Sequence, residues 1–267
     1  METGTERLIA SVDDGVGWIV FNNIEKHNAM TSDMLAGLAV ACDHFAADPA
    51  VRVVVLRGAG EQAFISGADI GQLETGEMGG SRAPSMEART PSRPGLTTGL
   101  AAIEKPVLAM INGYCLGGGV AMAMGADIRI CADDAHFGIP AARLGVGYPY
   151  DATAQLVALV GPGHAAEILY AGGRFDGKEA ARIGLVNRSV PKDELEGTVR
   201  SLAIAIAGNA PLSHIAHKRA IRAAAIGGPP TDQAAISAAI AAAWLSNDFV
   251  EGRRAFLERR AAHFTGT

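Results

Sequence analysis

A glycine-rich run from Asn112 to Gly119 ends in three consecutive glycines and could do chemistry through its backbone. It follows apolar residues that begin at Val107 and precedes a helix-like stretch through Met124. This order predicts a strand, a tight turn and the start of a helix, where glycine lets the main chain approach a ligand closely. Because the first N–H groups of a helix lack intrahelical acceptors, they can bind negative charge. A purely structural tight connection would use glycine in the same way.

A second turn of small residues, Ala63 to Ile70, follows the apolar strand pattern Val51 to Arg57. A main-chain N–H in this turn could face the same ligand as the glycine run. Two such donors that converge from different loops form an oxyanion hole, which stabilises negative charge developing on a carbonyl oxygen. The two motifs together therefore favour catalytic chemistry over a structural use of glycine alone.

With these motifs the sequence resembles the crotonase family, also called the enoyl-CoA hydratase/isomerase superfamily, over nearly its whole length. Further matching segments are Glu25 to Met30, Ala126 to Ile128, Phe137 to Pro140, Leu144 to Gly145, Gly184 to Asn187 and Glu251 to Arg260. The resemblance implies an acyl-CoA thioester as substrate, its oxygen held by the N–H groups of Ala68 and Gly118. The predicted coenzyme A contacts are Lys26, Ala29, Ala68, Asp69, Ile70, Phe256 and Arg259.

The chain departs from the hydratases of this family at two catalytic glutamates, which in those enzymes act on a water and on the substrate. The matching positions hold Ala121 and Ala141. Alanine has no proton to transfer, and general acid–base catalysis is worth roughly 10² to 10⁴ in rate. We therefore expect little ordinary hydration, whereas a reaction that passes through a stabilised thioester enolate is still open to this chain. Binding of acyl-CoA without turnover is an alternative.

Tyr148 is the candidate to replace the missing carboxylates. The segment Leu144 to Tyr148 resembles the methylmalonyl-CoA decarboxylase branch, in which a matching tyrosine contacts the substrate carboxylate, although that branch usually has a histidine where this chain has Ala68. An equal alternative is a partly buried wall residue whose hydroxyl bonds to backbone. Asp151, the nearby carboxylate, precedes an apolar-periodic run and is interpreted as a helix N-cap.

Composition narrows the possible partners. The formal net charge of −5 argues against nucleic acid, and no run of about 20 apolar residues suggests a membrane span. The polar N-terminus lacks the pattern of a signal peptide, and three widely spaced cysteines suggest reduced thiols in a cytoplasmic protein without a metal site. No separate cofactor is expected, since coenzyme A is part of the substrate. The turn Gly58 to Ala63 formally matches a dinucleotide-binding fingerprint, but no helix pattern follows it.

Strand patterns at residues 15–21, 51–56, 107–112 and 127–131 alternate with helical periodicity, which predicts an α/β fold. The resemblance implies a spiral of β-β-α units. We predict an acyl-CoA-binding core over residues 1–191 and a helical region over 192–267, which the resemblance implicates in trimers or hexamers. Residues 74–99, rich in Gly, Ser and Pro, are predicted to form a mobile loop over the site.

Overall fold

Strands in the described part of the chain form two sheets. The computed structural model describes residues 1–69, 71–72, 98–226 and 232–267. The strands are β1 (Leu8–Asp13), β2 (Val16–Phe21), β3 (Val53–Gly58), β4 (Ala63–Ile65), β5 (Val107–Ile111), β6 (Tyr114–Leu116), β7 (Ile128–Ala132), β8 (His136–Gly138), β9 (Phe175–Asp176) and β10 (Arg188–Val190).

Six strands build the larger sheet, in the order β1-β2-β3-β5-β7-β10. β1 pairs antiparallel with β2, and every other pairing in this sheet is parallel. The four strand segments predicted from apolar runs are β2, β3, β5 and β7. Parallel strands covered on both faces need continuous apolar side chains, and Val53 to Leu56 are each fully buried.

Helices cover this sheet and extend beyond it. They are α1 (Ser32–Ala47), α2 (Thr98–Ala102), α3 (Gly118–Met124), α4 (Tyr150–Ala171), α5 (Gly177–Arg182), α6 (Leu195–Ala207), α7 (Pro211–Ile226), α8 (Gln233–Leu245) and α9 (Asn247–Glu258). α1 packs against β1 and β2, while α6 packs against β2, β3, β5 and β7. The mixed α/β fold predicted from the alternating pattern is confirmed.

Four short strands form the second sheet, in the order β4-β6-β8-β9, with β4, β6 and β8 parallel. The sequence pattern of residues 112–117 predicts one turn from a strand into a helix and gives no indication of β6. Gly113 instead turns the chain with φ of 57° and lets it continue into β6. A side chain at this position would overlap the carbonyl oxygen of Gln62.

Beyond β10 the described residues contain helices but no further strand, as the sequence predicted. α7 packs against α8, and α8 packs against α9. Several large apolar side chains of α8 and α9 are exposed, among them Trp244, Leu245, Phe256 and Leu257. The division at residue 191 and the assembly into trimers stay predictions. No helix among the described residues is both long and apolar enough to cross a membrane.

Candidate active site

The two predicted oxyanion donors follow two neighbouring strands. β4 and β6 pair in parallel, with Ile65 opposite Cys115, so their carboxyl ends meet at one edge of the small sheet. Ala68 follows β4 and Gly118 follows β6, and both residues are partly buried. Gly119 packs so tightly that a Cβ there would overlap the carbonyl oxygen of Ile65. The first turn of α3 therefore lies directly against the end of β4.

Pairing with Met30 orients the Ala68 segment. The Met30 N–H donates to the Gly67 carbonyl at 2.8 Å, and the Asp69 N–H donates to the Met30 carbonyl at 2.8 Å. Because both bonds of this parallel bridge belong to the flanking residues, the N–H of Ala68 itself points away from Met30. Within the described ranges, this N–H has no hydrogen-bond acceptor.

The segment Glu25 to Met30 holds this turn in place. The Asn28 side chain is 1% exposed and donates to the carbonyls of Ala59 at 3.0 Å and Ala63 at 2.8 Å. The main-chain carbonyl of His27 accepts a hydrogen bond from the Ser66 N–H at 3.1 Å. This role of Asn28 was not predicted from the sequence. His27 and Asn28 both have positive φ angles, and the asparagine is the signal in the sequence, since it adopts that conformation more readily than most residues.

Lys26 and Asp69, two predicted coenzyme A contacts, form an ion pair beside Ala68. Their Nζ and Oδ2 atoms lie 2.7 Å apart, and the Asp69 side chain is buried while that of Lys26 is exposed. The hydrogen bond from Lys26 holds the pKa of Asp69 below its usual range, and the Gly71 N–H donates to the same carboxylate at 3.0 Å. Asp69 is thus ionised and paired at neutral pH, which makes it a poor general base.

Of the other predicted contacts, Ala29 is buried in the same segment, whereas Ile70 lies outside the described residues. Most of the predicted mobile loop, residues 74–97, also lies outside them. Phe256 is 84% exposed on α9, and Arg259 is exposed just after that helix. α9 packs against α8 rather than against β4, β6 or α3. Within one chain, these two residues are therefore not brought to the edge that carries Ala68.

The Gly117 residue fixes the peptide group that carries the Gly118 N–H. Its own N–H donates to the Gly138 carbonyl of β8 at 2.8 Å. Its φ of 52° and ψ of −109° suit glycine alone. Its carbonyl oxygen accepts from the N–H groups of Val120 at 3.1 Å and Ala121 at 3.3 Å. The Gly118 N–H, in contrast, has no acceptor among the residues described.

Tyr148 lies next to this peptide group. Its hydroxyl donates to the Gly117 carbonyl at 3.1 Å, and the residue is partly buried. Burial raises the pKa of Tyr148 above its usual value, so the phenol is neutral and keeps its proton. This geometry matches the expectation of a partly buried residue bonded to backbone. It also places the side chain one residue from the predicted donor Gly118.

Methyl groups occupy the two positions at which the resemblance places glutamates in hydratases. Ala121 is 5% exposed in the first turn of α3. Ala141 is partly buried in a 3-10 helix, Pro140–Leu144, and packs against the hydrophobic core. Neither side chain can accept or donate a proton.

The prediction that Asp151 caps α4 is wrong. The helix begins at Tyr150, so Pro149 occupies the N-cap position and Asp151 lies exposed in the first turn. The Pro149 carbonyl already accepts the first helical hydrogen bond, from the Thr153 N–H at 2.9 Å. A negative charge in a first helical turn still interacts favourably with the helix dipole.

Two short parallel strands thus end at one edge, and Ala68 and Gly118 follow them. A family model described as enoyl-CoA hydratase/isomerase matches residues 11–267. The chain belongs to the enoyl-CoA hydratase/isomerase family of the crotonase superfamily, and this family acts on acyl-CoA substrates. The family resemblance stated from the sequence is confirmed.

Several named relatives and solved structures are similar over almost the full chain. A crotonyl-CoA hydratase of Syntrophomonas wolfei is 35% identical over 265 residues, covering 97% of this chain and 98% of the relative. A carnitinyl-CoA dehydratase of Salmonella typhi is 33% identical, covering 90% and 92%. The crystal structure of an enoyl-CoA hydratase/carnithine racemase from Magnetospirillum magneticum has a TM-score of 0.89 at 33% identity, covering 98% of this chain and 97% of the other.

Proposed function

We propose that this chain is an enzyme that stabilises the enolate of an acyl-CoA thioester and that its reaction is not ordinary hydration. The N–H groups of Ala68 and Gly118 hold the thioester oxygen. One observation carries the proposal. The two N–H groups lie on neighbouring segments at one edge of the small sheet, and neither has an acceptor among the described residues. Ala121 lies on the same helix as Gly118. Main-chain donors are retained there, while the proton-transferring side chain is absent.

The typical rate contributions of oxyanion donors and of general acid–base groups support a reaction that uses the former without the latter. Removing one oxyanion donor typically costs about 10² to 10³ in rate, so two donors are a large catalytic contribution for any enolate. General acid–base catalysis contributes about 10² to 10⁴, and hydration needs it because water must be deprotonated as it adds. A site with the donors and without the glutamates therefore favours reactions in which no water has to be activated.

The second candidate is a more specific reaction, the decarboxylation of a malonyl-type thioester. Loss of carbon dioxide leaves the electron pair of the broken C–C bond in the enolate, which then takes a proton from water, so no base has to remove a proton from carbon. The absence of side-chain bases at Ala121 and Ala141 supports this candidate. Tyr148 keeps its hydrogen bond to the Gly117 carbonyl and does not contact the substrate carboxylate.

Coenzyme A binding belongs to the same proposal. Lys26 presents an exposed ammonium beside Ala68 and could meet a phosphate of this polyanion. Ala29, Asp69 and Ile70 would line the same segment, and Phe256 and Arg259 would contribute from a neighbouring subunit of a trimer or hexamer. No further cofactor is proposed. Sedimentation at micromolar concentration tests the assembly, and a monomer there would count against it.

The direct test mixes the purified protein separately with crotonyl-CoA, a 3-enoyl-CoA and methylmalonyl-CoA, and follows each thioester by mass spectrometry. We expect decarboxylation of methylmalonyl-CoA and little hydration of crotonyl-CoA. The 3-enoyl-CoA should be converted more slowly than methylmalonyl-CoA, because its isomerisation needs a base at the α-carbon. Hydration at a rate normal for family hydratases would contradict our interpretation of Ala121 and Ala141. Binding of all three compounds without conversion would instead establish a non-catalytic acyl-CoA binder.

Restoring the carboxylates is a complementary test. The double variant Ala121→Glu/Ala141→Glu should gain crotonyl-CoA hydration by about 10² or more over the unmodified chain. Ala142→Glu is the matched control, because Ala142 is exposed on the same 3-10 helix as Ala141. An equal gain in the control, or no gain in a double variant that still binds acyl-CoA, would contradict the assignment of these positions.

A further inference from the structure

The Gly117 carbonyl oxygen receives three hydrogen bonds at one point of the site. Two come from the main chain of α3, at Val120 and Ala121, and the third comes from the Tyr148 hydroxyl at 3.1 Å. The main-chain donors belong to the local helix start. Tyr148 is different, because it reaches this oxygen from 31 residues further along the chain.

This oxygen shares a rigid unit with the Gly118 N–H. The Gly117 C=O and the Gly118 N–H belong to one planar trans peptide group and point in opposite directions. Whatever fixes the carbonyl direction therefore also fixes the N–H direction. Gly117 has no Cβ to restrict the rotation of this peptide, so its orientation depends on the hydrogen bonds that its carbonyl oxygen accepts.

We propose that Tyr148 is a positioning residue for the Gly118 N–H, which it orients and polarises through the Gly117 carbonyl. The inference rests on the proposed oxyanion role of Gly118. A donor on the carbonyl oxygen draws electron density across the amide, and such chains of hydrogen bonds strengthen one another in a site shielded from water. Tyr148 thus increases the donor strength of an N–H that it does not touch.

The surroundings of Tyr148 fit this role. Its ring packs against the hydrophobic core, and the neutral phenol can donate over the whole working pH range. Tyr148 belongs to the segment of residues 145–149, which connects the 3-10 helix Pro140–Leu144 to α4. The hydroxyl is therefore held by elements other than α3, and it can resist rotation of the Gly117–Gly118 peptide.

Infrared difference spectroscopy tests this directly. Bound butyryl-CoA, isotope-labelled at the thioester carbonyl, should show a shift of the C=O stretch to lower frequency, because the oxyanion donors polarise it. Tyr148→Phe should reduce that shift clearly. In the same variant, kcat for the thioester that the unmodified enzyme converts fastest should fall by about 3- to 10-fold, with KM changed less than about twofold. Tyr150→Phe is the control, since Tyr150 is 83% exposed two residues away.

The outcomes separate the inference from the function on which it rests. No shift in the unmodified protein would refute the oxyanion role itself. A normal shift that Tyr148→Phe leaves unchanged would overturn the positioning role, even if the melting temperature fell. Should Tyr148→Phe fail to fold, incorporation of 3-fluorotyrosine at this position keeps the hydroxyl and makes it a stronger donor. The C=O shift should then grow, and an unchanged or smaller shift would overturn the inference.

Discussion

Gly118→Pro offers a direct test of the proposed oxyanion hole, because proline lacks the N–H that would bind the thioester oxygen. Gly118 is the first residue of α3, and proline is well tolerated at the first helical position. The preceding residue, Gly117, lies outside the right-handed helical region that proline disfavours for its neighbour. Since the Gly118 N–H has no acceptor in the described chain, the substitution removes no observed hydrogen bond.

We expect Gly118→Pro to lower kcat by about 10² to 10³, equivalent to about 2.7–4 kcal/mol of transition-state stabilisation, which is typical for one oxyanion donor. The free energy of unfolding should change by less than about 1 kcal/mol. Turnover is followed by mass spectrometry of the thioester, and stability by urea denaturation.

Gly118→Ala is the control, because it retains the N–H and adds part of the carbon that proline adds. It should keep a rate much closer to that of the unmodified protein than the proline variant does. A folded Gly118→Pro protein with a rate within about threefold of the unmodified chain would refute the role of this N–H. So would equal losses in the two variants, since the added carbon would then explain both.

Three further measurements probe the surrounding structure. Gly119→Ala should destabilise the fold by about 1–3 kcal/mol in urea, because its Cβ would overlap the Ile65 carbonyl oxygen. Gly197→Ala, at an exposed position of α6, should be neutral or stabilising by up to about 1 kcal/mol. Equal effects of the two substitutions would contradict the tight packing at Gly119. The lowered pKa of Asp69 means that its pair with Lys26 stabilises the fold above about pH 4, the pKa region of an unfolded aspartate, and that this stabilisation is lost as pH falls. The stability difference between the unmodified chain and Asp69→Asn should therefore shrink on acidification, and a constant difference would argue against the ion pair. Finally, burial raises the pKa of Cys42 and Cys131 to about 12 and that of Cys115 well above its usual value. Thiol reagents at pH 8 should therefore label these three buried cysteines only after unfolding. Labelling of the native protein would show that they are accessible.

The larger sheet could be predicted from the sequence because its parallel strands are long and continuously apolar. Val53 to Leu56 and Val107 to Ile111 show that signal clearly, and both are buried strands in the structure. The strands of the small sheet have two or three residues each, too few for any periodicity to appear. The pattern of residues 112–117 therefore indicates a turn, although Tyr114–Leu116 form β6.

The candidate site was predictable in its composition but not in its contacts. Ala68 and Gly118 were assigned from motif resemblance, and the structure places them after paired strands. The bond from Tyr148 to Gly117 joins distant parts of the chain, and no local pattern encodes it. Asp151 is a case in which a local pattern was misleading. It predicts an N-cap at Asp151, but the N-cap is Pro149, two residues earlier, whose carbonyl accepts the first helical hydrogen bond.

The proposed donors of Ala68 and Gly118 are main-chain atoms, and this has a consequence for how such a site can change during evolution. Among the twenty common residues only proline lacks a backbone N–H, so almost every substitution at these positions keeps the donor. Proton transfer, in contrast, needs side chains, and the positions proposed for them, Ala121 and Ala141, are separate from the two donors. Point mutations at the side-chain positions can therefore change the reaction, while the main-chain donors proposed to bind the thioester oxygen are retained.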